Sequence, residues 1–317
     1  EDDLTIEHNV FGYDVELLTP NVTHSRQISD ETWNRADALL VWHELFYDSE
    51  IIDKLLNCKV IVRVGAGVDN VDLEAAKARG IFVCNVPDYG TNDVADHAFA
   101  LLLHLARGIQ PFEQAIRDNI WSWRPGESLT RLTGKQFGII GLGRIGMATA
   151  MRAKAFGMNI NFYDPYVRYG YEKSLNIARS ESLDELAALS DIISIHTPLT
   201  PETDNMLNKN YFSVAKVGQI IINTARGAII NLEDLYHAMK NNTVRGLGSD
   251  VLPIEPPSKD ESLIKAWLAE EEWLNGRIVL TPHCAFYNRE SYREMRRKAS
   301  EEVKRVLDGK PPRNRVE

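Results

Sequence analysis

The 317-residue sequence predicts an α/β protein built from two parallel-sheet domains with a cleft between them. Short apolar runs of strand length alternate with helical patterns along most of the chain, as is typical of parallel sheets. One of these runs leads directly into a glycine-rich turn and then a helix. The length adds an expectation of about two domains, each large enough to bury its own core.

The amino-terminal part of the chain predicts the smaller domain. Its apolar runs lie at residues 15–18, 38–42, 59–64 and 81–85, and helical patterns separate them. Strands that alternate with helices form a parallel sheet, because each helix carries the chain back along the face of the sheet.

A long helix is predicted at residues 92–109, where apolar side chains recur at helical spacing. We expect the chain to cross between the domains there. Further strands are expected at residues 191–196, 219–224, 244–249 and 277–280. A final helix at residues 289–307 is expected to return to the first domain. The expected domains are therefore residues 1–96 together with 290–317, and residues 97–289.

A glycine turn is the most specific feature of the sequence. Gly141, Gly143 and Gly146 have G-x-G-x-x-G spacing directly after the apolar run 136–140. The first glycine makes the tight turn, the second leaves room for a pyrophosphate, and the third lets a helix pack close to its strand. The helix opens at Arg144, so its free N–H groups and positive dipole end point towards the phosphates.

An acidic residue completes this pattern. Asp164 follows Gly146 by 18 positions, at the end of a strand predicted at residues 159–163. A carboxylate at this point binds ribose hydroxyls and repels a 2′-phosphate, which favours NAD over NADP. Residues 97–289 are therefore predicted to form an NAD-binding, Rossmann-like domain, with a similar substrate-binding domain beside it. A glycine turn in another kind of α/β protein is the alternative, and the strand, helix and acid together count against it.

The composition is that of an ordinary globular protein, with 44% hydrophobic and 26% charged residues. The net charge of −9 argues against nucleic acid and an anionic membrane surface as partners. No apolar run approaches the roughly 20 residues of a membrane helix. Cys58, Cys84 and Cys284 are scattered without metal-ligand spacing, so we expect no metal site and a cytoplasmic location.

Three candidates for acid/base and substrate chemistry lie at the ends of predicted strands. They are Arg226 in NTARG, Glu255 in DVLPIEP and His283 in TPH. The carboxyl ends of strands in an open parallel sheet border the ligand crevice, so all three can converge there. Each residue taken singly also has a structural interpretation, as a surface ion pair, a turn residue before proline and a loop histidine respectively.

Together with their contexts, these residues resemble the D-isomer-specific 2-hydroxyacid dehydrogenases, most closely the branch of the C-terminal binding proteins. The resemblance covers nearly the whole chain. It rests on the segments ALLVWHELFY, IVRVGAGVDN, NVPDYGTNDVAD, GIIGLGRIG, RAKAFG, FYDPY, NTARG and TPHCAFY. It implies NAD as cofactor, a small 2-oxo or 2-hydroxy acid as substrate, and a homodimer formed through the cofactor domain.

The resemblance also implies a role for each candidate. Arg226 would hold the substrate carboxylate and carbonyl, His283 would be the acid/base, and Glu255 would hydrogen-bond the histidine. A neighbouring carboxylate favours the imidazolium form, so a proton would be available for ketone reduction. The implied cofactor contacts are Gly141, Leu142, Gly143, Arg144, Ile145, Gly146, Asp164, Thr197, Pro198, Leu199, Thr203, Thr224, Ala225 and Asp250, with Ala66, Val94, Cys284 and Phe286 as weaker candidates.

The first domain would contribute the substrate end of the site. The backbone N–H groups of Gly65, Ala66 and Gly67 can bind a carboxylate, and Arg63 resembles a second arginine of the branch. His43 occupies a matching loop position, although a surface histidine near a hinge is an equally good interpretation.

The sequence departs from the branch at two places. Phe286 stands three residues after the histidine, where the branch has tryptophan, so the aromatic ring is kept and the indole N–H is lost. The chain is longer than the branch between Pro256 and Pro282, and the sequence does not decide whether the segment 259–274 covers the cleft or a subunit contact. Its residues Leu263, Ile264, Trp267, Leu268 and Leu274 are spaced like one face of a helix. Cys284 is interpreted as a packing residue, because hydride transfer needs no thiol.

Two functions are open on this basis. The first is NADH-linked interconversion of a 2-oxo acid and its D-2-hydroxy acid. The second is an adaptor similar to the C-terminal binding proteins, whose cofactor stabilises an oligomer for docking. A long disordered tail would favour the adaptor, and the sequence ends at Glu317 soon after its last predicted helix, so we expect the enzyme. The aromatic residues Trp42, Phe46, Tyr89 and Phe286 favour an apolar substrate over a phosphorylated one.

Overall fold

A computed structural model describes residues 3–126 and 129–316 and divides the chain into two compact units. Unit 1 contains the chain up to Gly90 and again from Tyr287, and unit 2 is Thr91–Phe286. Compared with the expected domains, residues 91–96 belong to unit 2 and residues 287–289 belong to unit 1. The long helix that begins at Thr91 therefore lies wholly in unit 2.

The regular elements follow one another in the alternation that the sequence predicts. The strands are β1 (Ala38–Val41), β2 (Val60–Arg63), β3 (Phe82–Cys84), β4 (Gln136–Ile140), β5 (Asn159–Tyr163), β6 (Ala178–Arg179), β7 (Ile192–Ile195), β8 (Gln219–Asn223), β9 (Val244–Ser249) and β10 (Ile278–Leu280). The helices are α1 (Thr5–Phe11), α2 (Asp30–Arg35), α3 (Ser49–Asp53), α4 (Leu73–Ala78), α5 (Thr91–Arg107), α6 (Ile109–Arg117), α7 (Arg144–Ala155), α8 (Tyr171–Leu175), α9 (Leu183–Leu189), α10 (Lys209–Val214), α11 (Leu232–Lys240), α12 (Ser262–Leu268) and α13 (Arg289–Leu307).

Unit 1 is a three-stranded parallel sheet, in the order β1, β2, β3, with helices packed on it. Short polar residues define where its helices start, because their side chains accept hydrogen bonds from otherwise unpaired N–H groups. Asp48 accepts from Ile51 at the start of α3, and Asp72 accepts from Ala75 at the start of α4. The last helix, α13, has the predicted bounds and belongs to unit 1.

The prediction of a strand at residues 15–18 is wrong. These residues form an irregular segment in which Val15 and Leu18 are 39% and 49% exposed. A strand is stable only when a neighbouring strand accepts its hydrogen bonds and a core takes up its apolar face. Two half-exposed aliphatic side chains bury too little surface to hold this segment against the sheet.

Unit 2 is a seven-stranded parallel sheet in the order β10, β9, β8, β7, β4, β5, β6. The first strand of the unit, β4, lies inside the sheet between β7 and β5, and later strands extend to both sides. This is the doubly wound arrangement, in which ligands bind at the carboxyl ends of the strands where the order reverses. The reversal lies between β4 and β7.

The core of unit 2 has two parts, and alternate residues of the buried strands point to one or the other. Ile221 of β8 belongs to the part that packs on α9, α10 and α11, and its neighbours Ile220 and Ile222 belong to the part that packs on α5 and α7. Burial on both faces explains why these strands are continuous apolar runs in the sequence.

Two helices differ from the prediction because of left-handed backbone positions. Gly108, with φ +60°, follows the last residue of α5, which ends two residues earlier than expected, and α6 begins directly after this glycine. Glu270, with φ +52°, follows the end of α12, so the single helical face expected in 259–274 is wrong. Leu263 and Leu274 are buried in the unit 2 core. Trp267 and Leu268 remain partly exposed.

The short strand β6 was not predicted from the sequence.

Within the described part of the chain, no helix combines the length and the apolar character needed to cross a membrane.

Candidate functional site

The candidate residues of unit 2 follow the carboxyl ends of six neighbouring strands. Because these strands are parallel, their carboxyl ends lie along one edge of the sheet. In spatial order, His283 follows β10, Asp250 and Glu255 follow β9, Thr224 and Arg226 follow β8, Thr197 follows β7, Gly141 follows β4, and Asp164 follows β5. The edge therefore runs from the acid/base candidates at one end to the ribose-binding candidate at the other.

The glycine turn between β4 and α7 is shaped for close backbone approach. Gly141 has φ +88°, and a Cβ there would lie 2.9 Å from the backbone of His196. A Cβ on Gly146 would lie 2.1 Å from the carbonyl oxygen of Gly141. A Cβ on Gly143 would meet nothing within 4 Å. Gly141 and Gly146 are thus required by the packing of the protein itself. Gly143 faces open space at the start of a helix, which is the space that a pyrophosphate needs.

Asp164 is held in place by the backbone at the end of β5. Its Oδ2 accepts a hydrogen bond from the N–H of Leu142 at 2.8 Å, and its Oδ1 accepts one from Tyr166 at 2.9 Å. A carboxylate has about four acceptor positions, so two remain for ribose hydroxyls. Leu142, in the turn that precedes the helix, is therefore hydrogen-bonded directly to the acid that follows β5.

The loop after β7 lies against the glycine turn and holds its own shape. Thr203 Oγ1 donates to the carbonyl of Pro198 at 2.7 Å and accepts from the N–H of Thr200 at 2.8 Å. Leu199 packs against the unit 2 core. Exposed and half-buried residues of this loop border the turn at the point where the strand order reverses.

Thr224, after β8, carries a buried hydroxyl group at a predicted cofactor contact. Among the described residues, its hydroxyl Oγ1 is buried without a hydrogen-bond partner. Buried hydroxyl groups are nearly always hydrogen-bonded, so an unsatisfied one at a predicted cofactor contact fits a bound polar group. The glycine turn, Asp164 and Thr224 together are compatible with a dinucleotide.

The loop that carries Arg226 is built by the side chain of Asn223. The amide oxygen of Asn223 accepts from the N–H of Ala225 at 3.0 Å, and its amide nitrogen donates to the carbonyl of Arg226 at 2.9 Å. The guanidinium of Arg226 donates to the carbonyl of Ala225 at 2.7 Å. A Cβ on Gly227 would lie 1.9 Å from the carbonyl carbon of Leu252, so this loop packs directly on the loop after β9.

Glu255 and His283 form a hydrogen-bonded pair. Glu255 Oε2 lies 2.7 Å from His283 Nδ1, and Glu255 Oε1 accepts from the N–H of Leu252 at 3.0 Å. The backbone of His283 is left-handed, with φ +51°, and its N–H donates to the carbonyl of Asp250 at 2.7 Å. The two side chains are 20% and 34% exposed for histidine and glutamate respectively. The pair is therefore oriented by the backbone on both sides and remains open to a ligand.

Asp250 is the most buried carboxylate of this edge, with 2% of its surface exposed. Its oxygens accept from the N–H groups of Cys284 and Ala285, both at 2.9 Å, and from the hydroxyl of Thr281 at 2.6 Å. Thr281 also contacts His97 Nε2 at 2.9 Å. A buried ionised group that accepts several hydrogen bonds is held rigidly, so Asp250 can orient whatever binds to it.

Sequence reasoning missed Thr281 and His97. A signal for His97 was present, because it lies on the helical stripe formed by Val94, Ala98 and Leu101, all of which are buried in α5. A histidine on a buried stripe has a polar partner, and here the partners come from the loops after β9 and β10.

The weaker candidates of unit 2 lie close to this network. Cys284 is half-buried, and burial together with the Asp250 carboxylate raises the pKa of its thiol. A thiol with a raised pKa is a poor nucleophile, in keeping with a packing role. Val94 is buried in the first turn of α5, and Phe286 is half-buried at the end of the unit.

The candidates of unit 1 follow β1 and β2. Arg63 is buried, and its guanidinium donates to the carbonyl of Val64. Gly65 has φ +145°, and a Cβ there would lie 1.7 Å from Arg63 Nη1, so the arginine lies directly against the turn. Ala66 is exposed, and its carbonyl accepts from the side chain of Asn85 at 2.6 Å.

The remaining two candidates of unit 1 are half-buried. Gly67 ends the turn, and His43 lies just after β1, with its Nδ1 3.7 Å from the carboxylate of Glu44. Unit 1 thus brings Arg63 together with the turn 65–67, and the adjacent strand β1 leads to His43.

The chain is similar to known dehydrogenases. A family model described as "D-isomer specific 2-hydroxyacid dehydrogenase, NAD binding domain" matches residues 99–285. D-3-phosphoglycerate dehydrogenase of Archaeoglobus fulgidus is 36% identical over 280 residues, which are 88% of this chain and 51% of that protein. The protein of the same name from Methanocaldococcus jannaschii is 36% identical over 281 residues, 89% of this chain and 52% of that protein. The chain spans about half the length of these curated relatives.

Solved structures show the same fold. D-lactate dehydrogenase from Aquifex aeolicus, complexed with NAD and lactic acid, is 30% identical and superimposes with a TM-score of 0.87. This match covers 97% of this chain and 93% of that chain.

Proposed function

Because the chain belongs to the D-isomer-specific 2-hydroxyacid dehydrogenase family and takes NAD as its cofactor, we propose that it interconverts a 2-oxo acid and the corresponding D-2-hydroxy acid. The observation that carries this proposal is the 2.7 Å hydrogen bond between His283 and Glu255 on the edge that also bears the glycine turn. An acid/base next to a hydride carrier is what the reduction of a ketone requires. The finer assignment to the C-terminal binding protein branch stays a prediction.

The proton step is assigned to His283. Glu255 accepts a hydrogen bond from Nδ1–H, which leaves Nε2 as the nitrogen that exchanges a proton with the substrate oxygen. In reduction, protonated Nε2 donates to the carbonyl oxygen, and in oxidation neutral Nε2 accepts the hydroxyl proton. The carboxylate holds the imidazole ring in one orientation, and the bond from Leu252 to its other oxygen keeps the carboxylate in place.

Arg226 is assigned the substrate carboxylate. A guanidinium presents parallel N–H donors that match the two oxygens of a carboxylate. The turn that Asn223 builds holds the backbone of Arg226, and Gly227 lets this turn pack on the segment that also bears Glu255. The arginine and the histidine–glutamate pair are therefore supported by one another's loops. In unit 1, the N–H groups of Gly65, Ala66 and Gly67, with Arg63 beside them, are proposed as further carboxylate ligands, and His43 as a neighbouring substrate contact.

The cofactor is assigned to the same edge, in the order of the strands. Gly141–Gly146 would hold the pyrophosphate at the start of α7, Asp164 the adenosine ribose, and the loop Thr197–Thr203 the adenosine side. Thr224, Ala225 and Asp250 would bind towards the nicotinamide, with Val94, Cys284 and Phe286 nearby. When bound, the nicotinamide cofactor supplies the hydride that reduces the 2-oxo carbon.

The substrate is proposed to carry an apolar side chain. The unit 1 loops after β1, β2 and β3, at residues 42–48, 64–70 and 85–90, contain no lysine or arginine. They do contain the aromatic residues Trp42, Phe46 and Tyr89. A phosphate group needs cationic or helix-terminal donors, so these loops favour an apolar group over a phosphorylated one.

The test is a panel of 2-oxo acids with NADH, followed at the nicotinamide absorbance. We expect mid-sized apolar 2-oxo acids to give a higher kcat/KM than 3-phosphohydroxypyruvate, and the His283→Ala variant serves as the control for contaminating activity. A preference for the phosphorylated acid would contradict the substrate proposal but not the reaction class. Absence of NADH oxidation with every 2-oxo acid would contradict the reaction class itself.

We also propose that the protein is a homodimer through unit 2. Helix α6 and the segment after it expose Ile116, Ile120, Trp121 and Trp123, with Trp121 91% and Trp123 72% exposed. Several large apolar side chains exposed close together in the sequence favour an interaction site. The double change Trp121→Glu and Trp123→Glu should lower the mass measured by light scattering to that of one chain. Val217→Glu, at an isolated residue that is 79% exposed, is the matched control and should leave the mass unchanged.

A further inference from the structure

Three potential metal ligands meet beside the proposed nicotinamide position. They are His97 on α5, Asp250 after β9 and Cys284 after β10. One donor atom from each lies within 4.8 Å of the other two, and His97 Nε2 is 3.7 Å from Asp250 Oδ1. The residues come from three distant parts of the chain, so no sequence spacing indicates them.

The spacing of these atoms suits a tetrahedral ion. Zinc binds imidazole, carboxylate and thiolate ligands at about 2.0–2.3 Å, which places neighbouring ligand atoms about 3.3–3.6 Å apart. The histidine and aspartate atoms are already close to that separation. Cys284 is half-buried in the loop between β10 and α13, and a small movement of its side chain would complete three of the four positions. A water molecule can take the fourth, as in open zinc sites.

The donor set and its charge select the ion. A thiolate and an imidazole favour Zn²⁺ over Mg²⁺ or Ca²⁺, which prefer oxygen ligands. Asp250 is buried, and together with a deprotonated Cys284 it balances the two charges of the ion. On binding, the S–H bond of Cys284 breaks, the Zn–S bond forms, and the proton passes to solvent.

We propose that His97, Asp250 and Cys284 form an inhibitory Zn²⁺ site that excludes the nicotinamide cofactor. The exclusion rests on the proposed function, which assigns Asp250 to the nicotinamide side. The ion would take Asp250 Oδ1, the same oxygen that now accepts from Thr281 and Cys284. Zinc and cofactor would therefore compete for one carboxylate. A purely structural network, in which Thr281 links His97 to Asp250, is the competing interpretation.

The direct test is calorimetric titration of the cofactor-free protein with ZnCl₂. We expect one ion per chain, with the affinity lowered roughly tenfold or more in His97→Ala and in Cys284→Ser, because both remove a ligand. His237→Ala, at an exposed histidine, and Cys58→Ala, at a buried cysteine of unit 1, are the matched controls and should bind as the unchanged protein does. Saturating NADH should weaken zinc binding, and saturating zinc should weaken NADH binding by the same factor.

A second measurement does not depend on a variant that folds. In the unchanged protein, Zn²⁺ should protect Cys284 from alkylation by iodoacetamide, as read by peptide mass spectrometry, and Mg²⁺ should not. If His97→Ala and Cys284→Ser bind zinc as tightly as the unchanged protein, or if Cys284 is alkylated at the same rate with and without zinc, the proposed site is wrong. The network of His97, Thr281 and Asp250 would then be purely structural. Zinc binding that NADH does not affect would overturn the inhibitory role. Neither the calorimetric titration nor the alkylation measurement requires catalytic turnover. A protein that binds zinc in competition with NADH but reduces no 2-oxo acid would therefore contradict only the proposed reaction.

Discussion

The two units each carry a glycine turn after a buried parallel strand, and the two turns differ in what stands beside them. In unit 2, Gly141–Gly146 leads straight into α7, whose first N–H groups face the turn. In unit 1, Gly65–Gly67 is followed by no helix until Leu73, and the guanidinium of Arg63 lies against Gly65. One turn can bind an anion through a helix terminus and the other through a side-chain cation.

Glycine spacing after a strand does not by itself define which ligand the turn binds, because the residues beside the turn determine the ligand. A dinucleotide needs a helix start and an acid for its ribose, and only the unit 2 turn has Asp164 hydrogen-bonded to it. A small carboxylate needs only bare N–H groups and a cation. We therefore expect changes in unit 2 to alter turnover or cofactor affinity, and changes at the unit 1 turn to alter the KM for the 2-oxo acid alone.

The largest expected effect tests whether unit 2 alone carries the acid/base. His283→Ala should lower kcat for 2-oxo acid reduction by about 10²- to 10⁴-fold, since the proton donor is lost. Glu255→Gln keeps the shape and replaces the carboxylate that lies 2.7 Å from His283 Nδ1, so the ring should be held less firmly and kcat should fall more than KM changes. An unchanged kcat in Glu255→Gln would assign Glu255 to the loop structure alone.

The two arginines provide the next test. Arg226→Lys keeps the charge and loses the paired donors, so kcat/KM should fall by about ten- to 150-fold, or about 1.5–3 kcal/mol. Arg63→Lys should raise KM and leave kcat nearly unchanged, because Arg63 lies beside the turn of unit 1. NADH affinity, measured by fluorescence titration, is the control for both. Loss of kcat in the Arg63 variant as large as in the Arg226 variant would break the proposed division between the units.

The glycines separate folding from binding. Gly146→Ala places a Cβ 2.1 Å from the Gly141 carbonyl, so we expect a loss of about 1–3 kcal/mol of unfolding free energy as well as weaker NADH binding. Gly143→Ala has open space for its Cβ and should weaken NADH binding without lowering the melting temperature. Gly65→Ala should raise the KM for substrate and spare NADH binding. Equal melting temperatures for the two unit 2 variants would contradict the steric argument.

The smallest expected effect concerns cofactor choice. NADH should exceed NADPH in kcat/KM by about tenfold or more, which corresponds to about 1.4 kcal/mol, because Asp164 repels the 2′-phosphate. Asp164→Ala should lower the ratio of the kcat/KM values for NADH and NADPH. Asp184 is an acid in the first turn of α9, and Asp184→Ala is the control that should leave this ratio unchanged. Equal use of both cofactors by the unchanged protein would show that a nearby cation such as Arg168 outweighs the carboxylate.

The predictions from the sequence were most accurate for short segments whose own residues restrict the backbone to one structure. The strands at residues 136–140, 159–163 and 244–249 have the predicted bounds, and most of their residues are buried in the sheet. The start of α7 at Arg144 was predicted because a glycine turn leads into it. The segment 15–18 shows the opposite case, since its pattern resembled a strand but its side chains find no core.

Local pattern also predicted that Asp164, Arg226, Glu255 and His283 follow strands of one parallel sheet and so share its edge, while the roles of the last three came from the family resemblance and stay predictions. The sequence by itself therefore determined the fold class, the cofactor and the candidates for the reaction. Only the tertiary structure decided which further atoms meet: Gly227 with Leu252, the N–H of Leu252 with the second oxygen of Glu255, and His97 with Asp250 and Cys284. The reason is that such contacts act over short distances, and residues from separate parts of the sequence come that close only when the strands and helices between them pack.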